Sequence, residues 1–264
     1  MRSFPCGQTQ VAVYPSRATL GFQAARKAAE IIQAAVARRG RARIIVATGN
    51  SQLDLIGALV EQREITWRRV EMFHMDEYIG LPPQHPASFR LWIKTRVEDK
   101  VPLAEANYIS GDAPDVEAEI ARYSALLAAA PIDCAFVGFG ENGHIAFNDP
   151  PSADFDDPVA MKIVELDPTC RQQQVGEGHF KDIDSVPRTA ITITCSGLFR
   201  ADAWICCVPE RRKASAVRDA LTGPITTSCP ASVVRRKPGA WVFLDEESAS
   251  LLKTSSSESA TPSA

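Results

Sequence analysis

The chain has 264 residues, of which 45% are hydrophobic and 23% charged, a balance typical of globular proteins that excludes collagen-like, coiled-coil and disordered chains. Its 29 basic and 32 acidic side chains leave a net charge of -3, so no overall field favours a nucleic acid or a membrane as partner, and an anion must be held locally. No apolar run reaches the ~18 residues of a membrane span, because Asp133 interrupts the longest one.

The first part of the chain alternates short apolar segments with helical ones. Apolar and β-branched residues predict strands over residues 11–14 and 44–47. Between them, residues 18–38 carry apolar side chains at helical spacing, which predicts an amphipathic helix. A second helix is predicted over residues 52–62, and a third strand over residues 70–75. The order is strand, helix, strand, helix, strand.

The rest of the chain continues this alternation. Further strands are predicted over residues 133–137, 189–195, 203–208 and 240–244. Further helices are predicted over residues 88–96, 116–129 and 211–221. Continuous rather than alternating apolar strands, separated by helices, indicate an α/β fold: a three-layer, Rossmann-like domain with a mostly parallel central sheet. In such folds the ligand binds at the carboxyl ends of the strands.

The domain organisation follows from the same pattern. We expect one domain over residues 1–252, with the proline-rich segment 149–167 as a loop that covers the site. Residues 253–264 lack apolar anchors and are predicted to form a disordered tail. The first ten residues contain no apolar signal segment, so we expect a cytoplasmic protein.

The cysteines support a reducing compartment. They are seven in number and contain no CxxC pair, which favours free and mostly buried thiols over disulfides or a zinc site. They are Cys6, Cys134, Cys170, Cys195, Cys206, Cys207 and Cys229.

The first candidate site is the loop that follows the second predicted strand. Thr48, Gly49, Asn50 and Ser51 lie between a buried strand and a helix. Backbone N–H groups at a helix start, together with two hydroxyl groups, suit a phosphate or another oxyanion. The simpler alternative is a strand-to-helix turn in which Ser51 caps the helix. The loop matches no nucleotide-binding motif.

The second candidate is Asp76, at the end of the predicted strand 70–75. A carboxylate at that edge is partly desolvated, so its basicity can rise enough for proton abstraction. Glu77 and Tyr78 are expected to enter the loop that follows. The alternative for Asp76 is a solvated loop carboxylate, and His74 is interpreted as a packed core residue.

The third candidate is the glycine-rich segment after the strand 133–137. It carries the polar residues Glu141, Asn142, His144, Asn148 and Asp149. A histidine among carboxylates can relay protons near neutral pH. There are two alternatives: a metal site, for which two further ligands at a recognised spacing are missing, and a buried structural histidine. We predict no metal.

These segments resemble the glucosamine-6-phosphate deaminase family, within a superfamily that includes 6-phosphogluconolactonase. The likeness rests on MDEYIGLPPQHPASF (75–89), GFGENGHIAFNDP (138–150), VPRTAITIT (186–194) and PERRKASAV (209–217). Lactonases have a GHTASLF-like sequence in the second block, and they carry an arginine in place of the tyrosine of the DEY motif. Ile145, Ala146, Phe147 and Tyr78 therefore favour the deaminase branch.

The resemblance implies a reaction and a set of roles. The family converts glucosamine 6-phosphate and water into fructose 6-phosphate and ammonia without a cofactor. By resemblance, His144 assists ring opening and Asp76 abstracts the proton at C2. Lys213 matches the phosphate-binding lysine, and Thr48 to Ser51 match the phosphate loop. The expected binding partner is then a small amino sugar phosphate. The resemblance is also compatible with a homo-oligomer, but it does not require one.

Two positions in the block 138–150 depart from the family pattern. Asn142 and Asp149 stand where members often carry aspartate and glutamate. Either Glu141 or Asp149 is therefore expected to orient His144, or the ring-opening step is tuned differently. Arg171 is the nearest candidate for the arginine that helps to bind phosphate.

Two alternative functions remain open. One is a related sugar-phosphate enzyme, such as a 6-phosphogluconolactonase or a deaminase of another amino sugar phosphate. The other is a sugar-phosphate sensor without catalytic activity. The presence of Asp76 and His144 disfavours this alternative, because a binding module needs no strong base.

Overall fold

A computed structural model gives the structure of the chain, which is described here for residues 1–252. The predicted tail, 253–264, lies outside the described residues. No described helix is both long enough and apolar enough to span a membrane.

A large sheet of eight strands forms the centre of the molecule. Its strands are β1 (Arg2–Cys6), β2 (Thr9–Tyr14), β3 (Ala42–Val46), β4 (Val70–His74), β6 (Glu105–Asn107), β7 (Cys134–Val137), β10 (Ala203–Val208) and β11 (Ala240–Asp245). They are arranged in the order β1-β2-β11-β10-β7-β3-β4-β6. Only the pair β1–β2 is antiparallel, so the predicted α/β fold with a mostly parallel sheet is confirmed.

Seven α-helices connect the strands of the described chain. They are α1 (Arg17–Arg39), α2 (Leu53–Val60), α3 (Phe89–Ile93), α4 (Val116–Ala128), α5 (Pro168–Gly176), α6 (Cys195–Phe199) and α7 (Ala214–Thr222). A π-helical turn, Lys94–Glu98, extends α3, and a 3-10 turn, Arg211–Lys213, precedes α7. The long helix α1 begins at Ser16, whose side chain accepts a hydrogen bond from the backbone N–H of Thr19, and ends at Gly40 in the left-handed conformation.

Both faces of the central strands of the large sheet are buried, which explains why these strands are continuously apolar. Successive residues alternate between two cores: Val11 and Val13 belong to one, Ala12 and Tyr14 to the other. Helices α1 and α2 cover the second core, whereas α4, α6 and α7 cover the first. The helices form the two outer layers of the predicted three-layer arrangement.

A second sheet was not predicted. Strands β5 (Asp76–Tyr78), β8 (Met161–Glu165) and β9 (Thr189–Ile193) form it, in the antiparallel order β5-β9-β8. The expectation that residues 189–195 join the parallel sheet is therefore wrong. The prediction that the whole segment 149–167 is a loop is also wrong, because β8 lies within it. Strand β9 is apolar because it packs against the large sheet, and apolarity alone does not distinguish the two situations.

The small sheet also corrects the path of the chain after β4. Glu77 and Tyr78 lie in β5 rather than in a loop, and only Met75 separates β4 from β5. Asp76 thus stands at the junction of the two sheets.

Candidate active site

A cavity lies at the carboxyl ends of β3, β4, β7 and β10, the edge predicted for a parallel sheet. It is lined by Thr48, Gly49, Asn50 and Ser51 after β3, Asp76 after β4, Gly138, Gly140 and His144 after β7, and Lys213 after β10. Helix α5 and the residue after it close one side with Gln173, Gln174 and Glu177. Segments far apart in sequence thus meet in one site.

Asp76 presents a buried carboxyl group to this cavity. Its residue is only 6% exposed, and within residues 1–252 its carboxylate accepts no hydrogen bond. Burial, and then the neighbouring charge of Glu77, raise the pKa of Asp76 to about 8. A carboxylate with so high a pKa is a much stronger base than a solvated one, so the alternative of a solvated loop carboxylate is wrong.

Glu77 points away from the cavity and holds the next segment in place. Its carboxylate accepts hydrogen bonds from Ser88 Oγ at 2.8 Å and from the backbone N–H of Arg90 at 3.0 Å. The backbone N–H of Phe89 adds a longer one at 3.3 Å. Glu77 therefore satisfies free N–H groups at the start of α3 and ties that helix to β5.

His144 is held by an aspartate and an asparagine. Its Nδ1 atom lies 3.0 Å from Asp149 Oδ1, although the ring N–H is not aligned with that oxygen. Asn142 accepts a hydrogen bond from the backbone N–H of His144 at 3.1 Å and donates one to Asp149 Oδ1 at 2.9 Å. Burial opposes the charge on Asp149, but His144, Asn142 and the Asp167 N–H outweigh it and lower its pKa. An ionised Asp149 can therefore orient the imidazole.

The structure brings Asp149, and not Glu141, to the imidazole. Glu141 is exposed and pairs with Arg212 at 3.0 Å, outside the cavity. Asn148 is fully buried and donates to the carbonyls of Ile145 and Ile193, both at 2.9 Å, so it ties the loop to β9.

Arg171 is not brought to the cavity. Its guanidinium donates to the backbone carbonyls of Ile183 and Val186. These bonds close the segment after α5, which is a structural contact. The expected phosphate contact of Arg171 is therefore not present in this arrangement.

Lys213 and the loop 48–51 form the other end of the cavity. Lys213 is only 3% exposed, and burial lowers its pKa. Gly49 has φ +95°, a conformation that favours glycine and that turns the loop between β3 and α2. Ser51 is not a helix cap, because Gln52 occupies that position at the start of α2. Its hydroxyl instead accepts a hydrogen bond from Gln52 Nε2 at 3.0 Å and lines the cavity.

Arg17, at the start of α1, lies outside the cavity and holds the end formed by Lys213 and the loop 48–51. The sequence did not predict this role. Its guanidinium donates to the carbonyl of Asn50 and pairs with Asp54, which anchors the loop. It also pairs with Glu210 at 2.5 Å, just before the turn that carries Lys213. A single side chain therefore links the loop to the segment that carries the lysine.

Helix α5 was also missed, because its segment is polar and lacks an apolar repeat. A signal was nevertheless present. Asp167 accepts a hydrogen bond from the Thr169 N–H, and Pro168 follows at the first helical position. Aspartate followed by proline is typical of a helix start, so this signal would have predicted the helix, although not its position beside the cavity.

Three potential metal ligands lie together beside the cavity. Donor atoms of His144, Asp149 and Cys170 lie within 4.8 Å of one another. Burial, and then the charges and hydrogen bond of neighbouring carboxylates, keep the pKa of Cys170 well above its usual range. Its thiol therefore remains protonated and can donate to Asp149, which accounts for the cluster without an ion. That the protein uses no metal stays a prediction.

Fold and site together define the class: an α/β protein whose parallel sheet ends in a cavity that combines acid/base groups with a loop of backbone N–H donors. Within this class, the chain belongs to the family of glucosamine-6-phosphate isomerases and 6-phosphogluconolactonases, whose family model matches residues 15–243. The family suggested by the sequence motifs is thereby confirmed.

Individual relatives cover most of the chain. A glucosamine-6-phosphate deaminase of Exiguobacterium sibiricum is 36% identical over 78% of this chain and 80% of its own. That of Lactobacillus delbrueckii subsp. bulgaricus is 32% identical over 79% and 86%. A solved monomeric glucosamine-6-phosphate deaminase superposes with a TM-score of 0.83 at 28% identity, covering 91% of this chain and 99% of that one. The 6-phosphogluconolactonase of Trypanosoma brucei, at 18% identity and a TM-score of 0.76 over 96% and 100%, shares the fold.

Proposed function

We propose that the protein is a glucosamine-6-phosphate deaminase, which converts glucosamine 6-phosphate and water into fructose 6-phosphate and ammonia. The observation that carries this proposal is the cavity itself. A buried carboxyl group of raised pKa, Asp76, faces the same space as the His144–Asp149 pair and the end formed by Lys213 and the loop 48–51. The chemistry of its lining suits a sugar with a phosphate at one end and a reacting carbon at the other.

The first step assigned to these residues is ring opening. The imidazole of His144 can pass a proton to the ring oxygen while the hydroxyl at C1 loses one, which yields the open-chain aldehyde. Asp149 would hold the imidazole in one tautomer and one orientation. Because the proton lost at C1 balances the one gained at the ring oxygen, the step needs no cofactor.

The second step is isomerisation by Asp76. Its carboxylate removes the proton from C2, the oxygen at C1 takes up a proton, and the ammonium group at C2 releases one, which gives an enaminol. Return of a proton to C1 then leaves a protonated imine at C2. The substrate's ammonium group beside Asp76 favours the ionised carboxylate and so counteracts its raised pKa. Water then adds to the imine, ammonia leaves and the ketone of fructose 6-phosphate remains.

Phosphate recognition is assigned to the other end. The Lys213 ammonium supplies a positive charge, and backbone N–H groups with the hydroxyls of Thr48 and Ser51 supply hydrogen bonds. We place this chemistry in the cytoplasm, where free thiols persist; the seven cysteines of this chain are unpaired.

One assay tests the proposal against its alternatives. Purified protein is incubated with glucosamine 6-phosphate and with 6-phosphogluconolactone, and ammonia, fructose 6-phosphate and acid release are followed. We expect ammonia and fructose 6-phosphate in equal amounts, and an Asp76→Asn variant slower by about 10²-fold or more that still binds the substrate. Acid release from the lactone alone would identify a lactonase, and binding without turnover would identify a sensor.

A further inference from the structure

An acidic residue lies at the end of the cavity assigned to the phosphate group. Glu177 follows α5 directly, lines the cavity and has a side chain only 5% exposed. Its Oε2 atom is 4.0 Å from the position that a Cβ on Gly49 would occupy. The carboxylate therefore stands beside the loop whose N–H groups are expected to bind phosphate.

Three neighbours hold this carboxylate in place and keep it ionised. Arg212 lies 3.0 Å from Oε1, Gln173 donates to the same oxygen at 2.8 Å, and His179 is 3.5 Å from Oε2. Burial opposes the charge, but His179, Arg212 and Lys213 outweigh it and lower the pKa of Glu177 to about 2. Glu177 is thus ionised at neutral pH.

Lys213 is the natural counter-charge. Within residues 1–252, no carboxylate lies within 4.0 Å of its ammonium nitrogen, and the carboxylate with the largest effect on it is Glu177. In the ligand-free protein the positive end of the cavity is therefore balanced by an internal anion. A doubly charged phosphate entering this end meets that anion at close range, where the repulsion is poorly screened.

We infer that Glu177 is an internal competitor of the phosphate group, and that it must withdraw from the loop when a phosphorylated sugar binds. The inference rests on the proposed function, because it concerns the same site. Arg212, on the outer side of Glu177, can keep its contact with the carboxylate as it withdraws. Glu177 would then lower the affinity for substrate and for product alike, and so speed the release of fructose 6-phosphate.

A different role for Glu177 predicts the opposite effect. If the carboxylate served to position Arg212 and Lys213 for phosphate, its removal would weaken phosphate binding. The sign of one affinity change therefore separates the competitor from the positioning residue.

The experiment compares wild type with Glu177→Gln, using inorganic phosphate as the probe and calorimetry as the readout. Removing a like charge next to a bound dianion should tighten phosphate binding by about tenfold or more. The KM for glucosamine 6-phosphate should fall with it, while the inhibition constant of unphosphorylated glucosamine stays the same. The control is Asp184→Asn, which removes one exposed negative charge outside the cavity and should leave phosphate affinity unchanged.

Unchanged or weaker phosphate binding by Glu177→Gln, with an intact thermal midpoint, would overturn the inference. If that variant does not fold, Glu177→Asp withdraws the carboxylate by one methylene group and keeps its charge; it should show a smaller tightening in the same direction, and weakening would overturn the inference. Phosphate binding is measured without turnover. A protein that binds phosphate more tightly as Glu177→Gln but releases no ammonia would therefore refute the proposed reaction and leave the role of Glu177 supported.

Discussion

The imidazole of His144 lies directly over Gly140, where a side chain on residue 140 would overlap the ring at 2.2 Å. The backbone N–H of Gly140 also donates to the carbonyl of His144 at 2.9 Å. The loop thus folds back on itself around a position without a side chain, and the ring occupies the space that a Cβ would fill.

Gly140→Ala should therefore displace His144 from the cavity. A shift of about 1 Å in an acid/base group can reduce the rate by about 10²-fold, so we expect a loss of that order in kcat, with the protein still folded. Steady-state kinetics and thermal unfolding check this. The control is Gly57→Ala in α2, where the added methyl group meets no atom within 4 Å apart from its chain neighbours and the nearby backbone of its own helix. That variant should keep full activity, and equal losses in both variants would contradict the explanation.

The raised pKa of Asp76 should make stability depend on pH. The pKa is about 8 in the folded protein against a usual 3.8. Between these values the folded state retains a proton that the unfolded chain has lost, so this group contributes stability at low pH that is lost as the pH rises through about 8.

Asp76→Asn removes that dependence. Its thermal midpoint should exceed that of the wild type at about pH 9, and the difference should shrink toward about pH 4. Comparing the two proteins in the same buffers cancels the titration of all other groups. If the two proteins have the same thermal midpoint at every pH, the pKa of Asp76 is not raised in the folded state.

His144→Gln should separate ring opening from isomerisation. The proposed relay acts on the ring oxygen, whereas Asp76 acts on the open chain. The variant should therefore lose far more activity on glucosamine 6-phosphate than on a 4,5-dideoxy analogue, which has no hydroxyl from which to form a five- or six-membered ring. A buried structural histidine would behave differently: both rates would fall alike and the thermal midpoint would drop.

Lys213→Ala should weaken the binding of phosphorylated ligands. A hydrogen bond to a charged group contributes about 1.5–3 kcal/mol, so the KM for glucosamine 6-phosphate should rise roughly tenfold to a hundredfold. Inhibition by unphosphorylated glucosamine should stay constant, which serves as the internal control. An equal loss for both ligands would exclude a specific contact with phosphate.

Much of the site could be predicted because its residues follow strand ends. A parallel sheet brings its carboxyl ends to one edge, so Asp76, His144 and the loop 48–51 were expected to meet there. The partner of His144 could not be chosen from the sequence. Glu141 and Asp149 are both close to it along the chain, and only the fold of the loop turns Asp149 inward and Glu141 outward.

The features that could not be predicted depend on contacts between segments that are distant in the sequence. The small sheet escaped prediction because β9 is as apolar as a central parallel strand, although it pairs with β5 and β8. Arg17 gave no signal, since one arginine at the start of a helix does not reveal that it spans from Asn50 to Glu210.

The distribution of the free thiols offers a way to follow the opening of individual parts of this molecule. Cys134 and Cys206 lie at the centre of the large sheet and are fully buried, whereas Cys6 and Cys229 are only partly buried. A thiol reagent should label the latter pair during local fluctuations and the former only when the whole fold opens. Pulse labelling followed by mass spectrometry would thus report two opening free energies from one unmodified protein.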